Sequence, residues 1–235
     1  MIGIIFDCDG TLIDSEHAYY LSWQAALQAR GGSISLEEYS TLAGYSGMHV
    51  AQKLHEKVNA DSAEALLQDT KKAFREIHTN AVKPIERTVK FVRALAQQKQ
   101  KLNIKMGVAS AAGKQEILLN LGRTGLTEVF DVIVSGRDDL QHYQDPEGVN
   151  KPKPYIYLHT AQLLGLLPSS CVAFEDSGPG VLAATRAGIL TYAVPHPLTK
   201  DHDFSEAHCV IQPDTELDIQ EFFASMSKLL KKPSI

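Results

Sequence analysis

A chain of 235 residues with 23 Lys+Arg against 28 Asp+Glu carries a net charge of −5, so nothing general attracts it to nucleic acid or to an anionic membrane surface. With 44% hydrophobic and 22% charged residues it is neither a disordered nor a fibrous sequence, and its length suits one large domain or two modest ones. Cys8, Cys171 and Cys209 are odd in number and form no Cys-x-x-Cys pair, which argues against a disulfide framework or a structural zinc site.

In chain order, the first element is Ile2-Gly3-Ile4-Ile5-Phe6, a short apolar run that reads as a buried strand. No basic region or cleavage pattern accompanies it, and Asp7 ends it far too early for a membrane span, so a cytoplasmic protein is expected. From about Ser15 to Val82 the sequence offers no strand. His17–Arg30, Leu36–Ala43, Met48–Val58 and Ala63–His78 are amphipathic helical stretches, punctuated by turn signals at Gly31-Gly32 and Asn59-Ala60-Asp61. Pro84 marks the return to strand–helix alternation. Val89, Val92 and Leu95 set one helical rhythm, and Ile117, Leu118 and Leu121 set another. Tyr157, Ala161 and Leu164 line the face of a third helix, whose first turn Pro154 suits. The runs Ile104–Ala109, Val132–Val134, Val172–Phe174 and Ile189–Val194 read as buried parallel strands between them. Lys228, Lys231 and Lys232 belong to a solvated helix terminus. The expected fold is α/β, a Rossmann-like parallel sheet covered on both faces, with a helical domain inserted after the first strand. The expected division is 1–14 with 83–235 as a discontinuous core, and 15–82 as the insert.

The chemistry-bearing residues sit where these strands end. Asp7-Cys8-Asp9-Gly10-Thr11 follows the first strand directly, at the carboxyl edge where open parallel sheets bind ligands. Two carboxylates at i and i+2 reach one center only if the chain turns, which Gly10 permits, and keeping both ionised calls for a cation. An Asx-turn or helix cap would show the same pattern; a calcium loop would not, because Leu12 and Ala18 occupy its Gly and Glu positions. A second acidic pair, Glu175-Asp176, follows the strand Val172–Phe174 and precedes Ser177-Gly178-Pro179-Gly180, which again suits a helix cap. If the two strands are neighbours, the carboxylates converge on a hard-oxygen site suited to Mg²⁺. Ser110 ends another strand and can offer its hydroxyl and the amides behind it to an anion. Lys151 lies in Asn150-Lys151-Pro152-Lys153-Pro154, where flanking prolines stiffen the backbone that presents its ammonium.

In this order and context, Asp7-x-Asp9-Gly10-Thr11, Ser110, Lys151-Pro152-x-Pro154 and Glu175-Asp176 resemble the four motifs of the haloacid dehalogenase superfamily. The likeness covers nearly the whole chain and is to the phosphatase-like branch with a helical cap. It implies that Asp7 attacks phosphorus to form an aspartyl-phosphate, and that Asp9 protonates the leaving group and later activates water. Ser110 and Lys151 would hold the transferring phosphoryl oxygens. The cofactor implied is Mg²⁺, held by the Asp7 carboxylate, the Asp9 backbone carbonyl and Asp176, with Glu175 at the metal or just behind it. The partner implied is a small phosphorylated metabolite, a sugar phosphate or a phosphoglycolate-like compound, handled by a monomer or weak homodimer.

Dehalogenase chemistry itself is not expected, because carbon–halogen displacement needs neither the metal nor the Asp9 acid. β-Phosphoglucomutase-type relatives carry a His near the position of Tyr19 and an Arg in the cap loop; Gly44-Tyr45-Ser46-Gly47-Met48 has no arginine, so a hydrolase is preferred to a mutase. A phosphometabolite-binding protein without turnover ranks last, because it leaves both aspartates without a purpose. Tyr19, Trp23, Tyr45, Met48 and His49 are the candidate specificity residues of the cap, although aromatic and Met residues at helical spacing are also core formers. Tyr155 stands where relatives commonly have Asp, and the long connection Leu140–Asn150 is expected to be an exposed turn.

Overall fold

Every apolar run singled out above as a strand forms one, and the reason is burial on both faces. The structure, a computed structural model, describes residues 1–58 and 60–230, with the side chains of 78–81 excepted. Asn59, expected in a turn, and Lys231 and Lys232 lie outside the described residues. The chain begins with β1 (Ile2–Phe6) and the two-residue β2 (Ile13–Asp14), followed by four helices: α1 (Glu16–Gln28), α2 (Leu36–Ser40), α3 (Gly47–Leu54) and α4 (Ala63–Ala81). It returns through β3 (Lys83–Pro84), α5 (Glu86–Gln97), β4 (Ile104–Ser110), α6 (Lys114–Thr124) and β5 (Val132–Ser135). It ends with α7 (Tyr155–Leu164), β6 (Cys171–Glu175), α8 (Gly178–Arg186), β7 (Leu190–Ala193), β8 (Cys209–Val210) and α9 (Ile219–Leu230).

The main sheet has the strand order β5-β4-β1-β6-β7-β8 and every pairing in it is parallel. Successive side chains leave a strand on opposite faces, and the residues divide accordingly. Ile4, Phe6, Val108, Phe174 and Tyr192 pack with Phe91 of α5 and Phe222 of α9 on one face, where Phe6 and Phe174 stack with ring centroids 5.0 Å apart. Ile5, Ala109, Val134 and Ala173 pack with Tyr157 and Ala161 of α7 and Ala184 of α8 on the other. Because β1 is central, with β4 on one side and β6 on the other, the chain reverses its direction of travel across the sheet there, and parallel sheets open a crevice at such a point.

The four helices between β2 and β3 have a hydrophobic cluster of their own, built on Trp23, Leu27, Tyr39, Val50, Leu54 and Leu66, with α1 packed along α4. Ser35, Ser46 and Ser62 cap α2, α3 and α4, each hydroxyl accepting from the backbone N–H three residues on. The antiparallel β2–β3 ribbon, which pairs Ile13 with Pro84 and Asp14 with Lys83, ties the start of this segment to its end. Neither this ribbon nor β8 is predicted by the sequence, since two residues are too few to show a period.

One helical face differs from the expectation. In α6, Leu118 is 40% exposed while Asn120 is fully buried; Asn120 turns inward because it hydrogen-bonds to Asp9. Among the described residues no helix is long and apolar enough to cross a membrane.

Candidate active site

Register delivers the site. Phe6 pairs with Val108 on one side and with Phe174 on the other, so the strands end nearly flush and the next residues share one edge. Asp7 leaves β1 with its N–H still donating to the Phe174 carbonyl (3.0 Å). Ser110 closes β4, Glu175 closes β6, and Asp176 follows it.

The turn after Asp7 depends on Gly10. Its φ is +80°, and a Cβ there would fall 2.2 Å from Asp176 Oδ2, so only glycine allows both the turn and the close approach of the later carboxylate. Asp7 and Lys151 are 6% and 5% exposed, and the Lys151 ammonium donates to Asp7 Oδ1 at 2.6 Å. The same ammonium donates to Glu175 Oε1, which also accepts the Tyr157 hydroxyl at 2.6 Å. Ser177 donates to the other Glu175 oxygen (3.2 Å). Asp176 accepts the Thr11 hydroxyl at 3.2 Å, and the Thr199 hydroxyl donates to its backbone carbonyl. Asp9 stands slightly apart, taking Ser15 Oγ at 2.6 Å, Ser110 Oγ at 3.2 Å and Asn120 Nδ2 at 3.4 Å.

Charge is unbalanced here. Asp7, Asp9, Glu175 and Asp176 gather near Lys151, the one buried Lys or Arg among the described residues, whose ammonium pairs with Asp7 and Glu175. Burial pushes the Asp7 carboxyl well above the usual carboxylate range, more than Lys151 draws it down, with Glu175 and Asp9 adding to the rise. Asp176 is raised by burial and then by Glu175 and Asp7. Asp9 rises to about 6, through burial and then Glu116, against the hydroxyls of Ser15 and Ser110. Burial alone would lower Lys151, yet Asp7 and Glu175 hold it above the ordinary lysine value. Asp7, Glu175 and Asp176 place ligand oxygens within 4.8 Å of one another, all buried. An all-oxygen set with excess negative charge fits a hard dication such as Mg²⁺. Within it Glu175 is the most heavily engaged, since Lys151, Tyr157 and Ser177 already use both of its oxygens.

A cavity of about 570 Å³ opens above this edge. Asp7, Asp9, Ser110 and Lys151 line it from the sheet side, and Tyr19, Trp23, Tyr45 and Met48 line it from the helices. Tyr19 also donates to Glu116 and stacks on Phe74 with centroids 4.3 Å apart. Trp23 serves the helical core as well, being 3% exposed. His49 does not line the cavity; it stacks on Tyr45, centroids 4.4 Å apart. Asn150 reaches the cavity, whereas the preceding loop is braced away from it by the Tyr155 hydroxyl donating to Asp145 (3.0 Å) and by Lys153 bridging Asp145 and Glu147. The Tyr at position 155 and the long loop are thus parts of one arrangement.

Several participants escaped sequence reasoning. Thr11 lay inside the first motif and could have been read as a hydroxyl donor; Tyr157 could not, because its helical spacing is equally that of a core residue. Glu16, 4% exposed, accepts the Tyr39 hydroxyl at 2.8 Å, and burial lifts its carboxyl to about 7. Lys71 and Arg75 of α4, Glu116 of α6 and Arg137 after β5 also line the cavity.

Residues 4–194 match the family described as haloacid dehalogenase-like hydrolase. The chain is 30% identical over 188 residues to the fructose-1-phosphate phosphatase YqaB of Escherichia coli (strain K12), covering 80% of this chain and 93% of that protein. It is 28% identical over 222 residues to a phosphorylated carbohydrates phosphatase of Thermotoga maritima, covering 93% of this chain and 98% of the relative. In fold it is similar to the crystal structure of a β-phosphoglucomutase from Clostridium difficile, with a TM-score of 0.77 at 22% identity, covering 99% of this chain and 100% of that one.

Proposed function

The chain belongs to the haloacid dehalogenase-like hydrolase family and is an enzyme of the phosphatase class, and from that premise we propose that it hydrolyses a small phosphomonoester, a sugar phosphate or a phosphoglycolate-like compound, through a covalent aspartyl-phosphate. The observation that carries the reading is the meeting of Asp7, Asp9, Ser110, Lys151 and Asp176 on one sheet edge beneath a cavity.

In the first step an Asp7 carboxylate oxygen bonds to phosphorus while the ester P–O bond breaks, and Asp9 gives its proton to the departing alkoxide. With its carboxyl raised to about 6 by burial and Glu116, Asp9 holds a proton near neutrality better than an exposed aspartate does. In the second step Asp9 takes a proton from the water that attacks the phosphoryl group, and Asp7 is released. The Lys151 ammonium, fixed between Asp7 and Glu175, bears on the phosphoryl oxygens, and Ser110 adds a hydroxyl. Asp7, Asp176 and the Asp9 carbonyl would hold Mg²⁺, with Glu175 acting chiefly by aiming Lys151. When bound, the ion offsets the repulsion between a carboxylate nucleophile and an anionic substrate. Residues 15–82 act as a cap whose aromatic face shields the reaction from bulk water.

A panel of phosphomonoesters assayed for phosphate release with and without Mg²⁺ tests the reading. Release should require the ion, vanish in Asp7→Asn, and fall by about 10²–10⁴-fold in Asp9→Asn, the range for losing a general acid–base. Rapid quench with labelled substrate should trap a hydroxylamine-labile phosphoprotein in wild type and none in Asp7→Asn; turnover that survives Asp7→Asn would refute the nucleophile. A β-phosphoglucomutase-type reaction would instead isomerise glucose 1-phosphate in the presence of a bisphosphate, which phosphorus NMR distinguishes. A binding protein without catalysis would take up ligand saturably and release no phosphate.

A further inference from the structure

The connection from β7 to β8 touches both the acidic edge and the helical insert, and the hydrolytic steps make no use of it. From His196 to His202 it folds into two consecutive turns. The Thr199 N–H donates to the His196 carbonyl and the His202 N–H to the Thr199 carbonyl, each at 2.9 Å. Thr199, at the middle, is fully buried. Its hydroxyl accepts the His196 N–H at 3.1 Å and donates to Asp176, at the backbone carbonyl and, more loosely, at Oδ2 (3.3 Å). The other carboxylate oxygen of Asp176 accepts Thr11 at 3.2 Å. Two hydroxyls, one on each side, therefore set the orientation of this carboxylate, and Thr199 supplies one of them from outside every motif.

On either side of Thr199 the same segment grips the insert. Leu198 packs against the insert's hydrophobic cluster. His202 Nδ1 accepts the Gly178 N–H at 3.1 Å, so the ring proton lies on Nε2, which donates to the Ser40 carbonyl at the end of α2 at 2.6 Å. His196 is arranged in the same way. Its Nδ1 accepts the Leu198 N–H at 3.3 Å, and its Nε2 faces Asp14 Oδ1 at 3.2 Å, where the chain passes into the insert. The Gly178 N–H is one of those that a helix start leaves without an intrahelical partner, and α8 starts two residues after Asp176. The segment lies close upon that start, since a Cβ on Gly178 would meet the Asp203 carbonyl at 3.2 Å.

We propose that Thr199 and His202 are positioning residues that couple docking of the helical insert to placement of the Asp176 carboxylate. With the insert docked, Ser40 and the apolar cluster hold the segment, the segment holds Thr199, and Thr199 holds Asp176. With the insert away, the segment loses its contacts to Ser40 and to the cluster. Exposed at Pro197, Lys200 and Asp201, it then has little else to fix it. A dication whose ligands include Asp176 therefore binds the docked form more tightly, and by reciprocity its binding favours docking. The inference rests on the metal-dependent phosphatase reading and adds to it two side chains that touch neither ion nor substrate.

Calorimetric titration of the full chain with Mg²⁺, and amide hydrogen exchange of residues 36–43 with and without the ion, read the two ends of the coupling. Mg²⁺ should slow exchange in 36–43 of wild type. Thr199→Val, close in shape but without the hydroxyl, should weaken Mg²⁺ binding about fivefold, as loss of one hydrogen bond does, and remove most of the slowing. His202→Asn keeps an acceptor for Gly178 and loses the donor to Ser40, and it should have the same two effects. His202→Gln restores a donor near the Nε2 position and should bind Mg²⁺ within about twofold of wild type. The double variant Thr199→Val/His202→Asn should bind no more weakly than the weaker single variant, because both break one chain of contacts. If Thr199→Val fails to fold, the two His202 variants decide the matter. Unchanged affinity in His202→Asn, the opposite order of Asn and Gln, additive losses in the double variant, or a wild type that takes up no Mg²⁺ overturns the coupling. Phosphate release is scored separately. Coupling without turnover of any phosphomonoester by wild type would reject the hydrolase and keep the coupling; Mg²⁺-dependent turnover with unchanged affinity in His202→Asn would do the reverse.

Discussion

Glu16 shows how burial governs single residues here. Its carboxyl is 4% exposed and rises from 4.5 to about 7 because burial outweighs the bond from Tyr39. The folded protein therefore binds this proton more tightly than the unfolded chain does. Stability from the group is fully present below about pH 4.5 and is lost as pH rises through about 7, to the extent of about 3 kcal/mol at 1.36 kcal/mol per unit. Glu16→Gln keeps an acceptor for Tyr39 and carries no charge. It should melt above wild type at pH 8 and level with it at pH 4.5, read by thermal denaturation at both; a constant gap would show that the carboxyl does not titrate in this way. Tyr157 is the complementary case. Its hydroxyl is one of the donors that hold Glu175, and through Glu175 the Lys151 ammonium. Tyr157→Phe should cost about 1.5–3 kcal/mol of stability, the range for losing a hydrogen bond to a charged group. It should lower kcat more than it raises KM, measured on a simple phosphomonoester.

At the scale of elements, two glycines permit close approaches, one between the α2–α3 loop and the start of α8 and one between α8 and the end of β6. Gly44, at φ +80°, lies against Ser177, which its Cβ would meet at 2.4 Å. Gly44→Ala adds a steric clash to a strained backbone, a combination worth about 1–3 kcal/mol. Its effect should appear mainly as a raised KM, because the loop it displaces is the one bearing Tyr45 and Met48 over the cavity. Melting temperature and KM measured together check this: a large fall in the first with no change in the second would place Gly44 in folding alone. Gly180, in the first turn of α8, leaves room for the Glu175 carboxylate, which a Cβ would approach to 2.0 Å. The Gly-Pro-Gly run after the acidic pair is therefore a packing requirement of that pair as well as a helix start.

Across the whole molecule, one edge of a parallel sheet concentrates negative charge that the fold itself does not balance. The Asp7, Glu175 and Asp176 carboxylates cluster there around one ammonium, which reaches Asp7 and Glu175, so a bound dication should stabilise the native state by mass action, about 2.7 kcal/mol at a concentration one hundred times its Kd. Addition of Mg²⁺ should raise Tm and a chelator should reverse it, and Asp176→Asn should abolish most of the response; an unchanged Tm in wild type would mean that the cluster does not take up the ion. The edge forms because β1 sits between β4 and β6 with matched register, a fact of assembly rather than of any motif.

Much of this was legible in the chain. The apolar runs from Ile2–Phe6 to Ile189–Val194 are too short and too rich in β-branched residues for helices, and the structure makes each of them a strand. The helical stretch after Ser15 was equally plain, and so was the placement of Asp7, Ser110 and Glu175 at strand ends, because a hydrophobic run stops where its strand leaves the core. The β2–β3 ribbon was not legible, since two residues set no period. Nor were the inward turn of Asn120, the pairing of Tyr155 with Asp145 across a loop or the gathering of Lys71 and Arg75 with Arg137, since no local period specifies these contacts. The sequence by itself determined which segments must be buried and which polar residues end them, because hydrophobic periodicity is a local property. Only the tertiary structure decided which carboxylates share a cation, how far burial displaces each proton equilibrium and which side chains face the cavity, because those follow from distances between segments that no local pattern encodes.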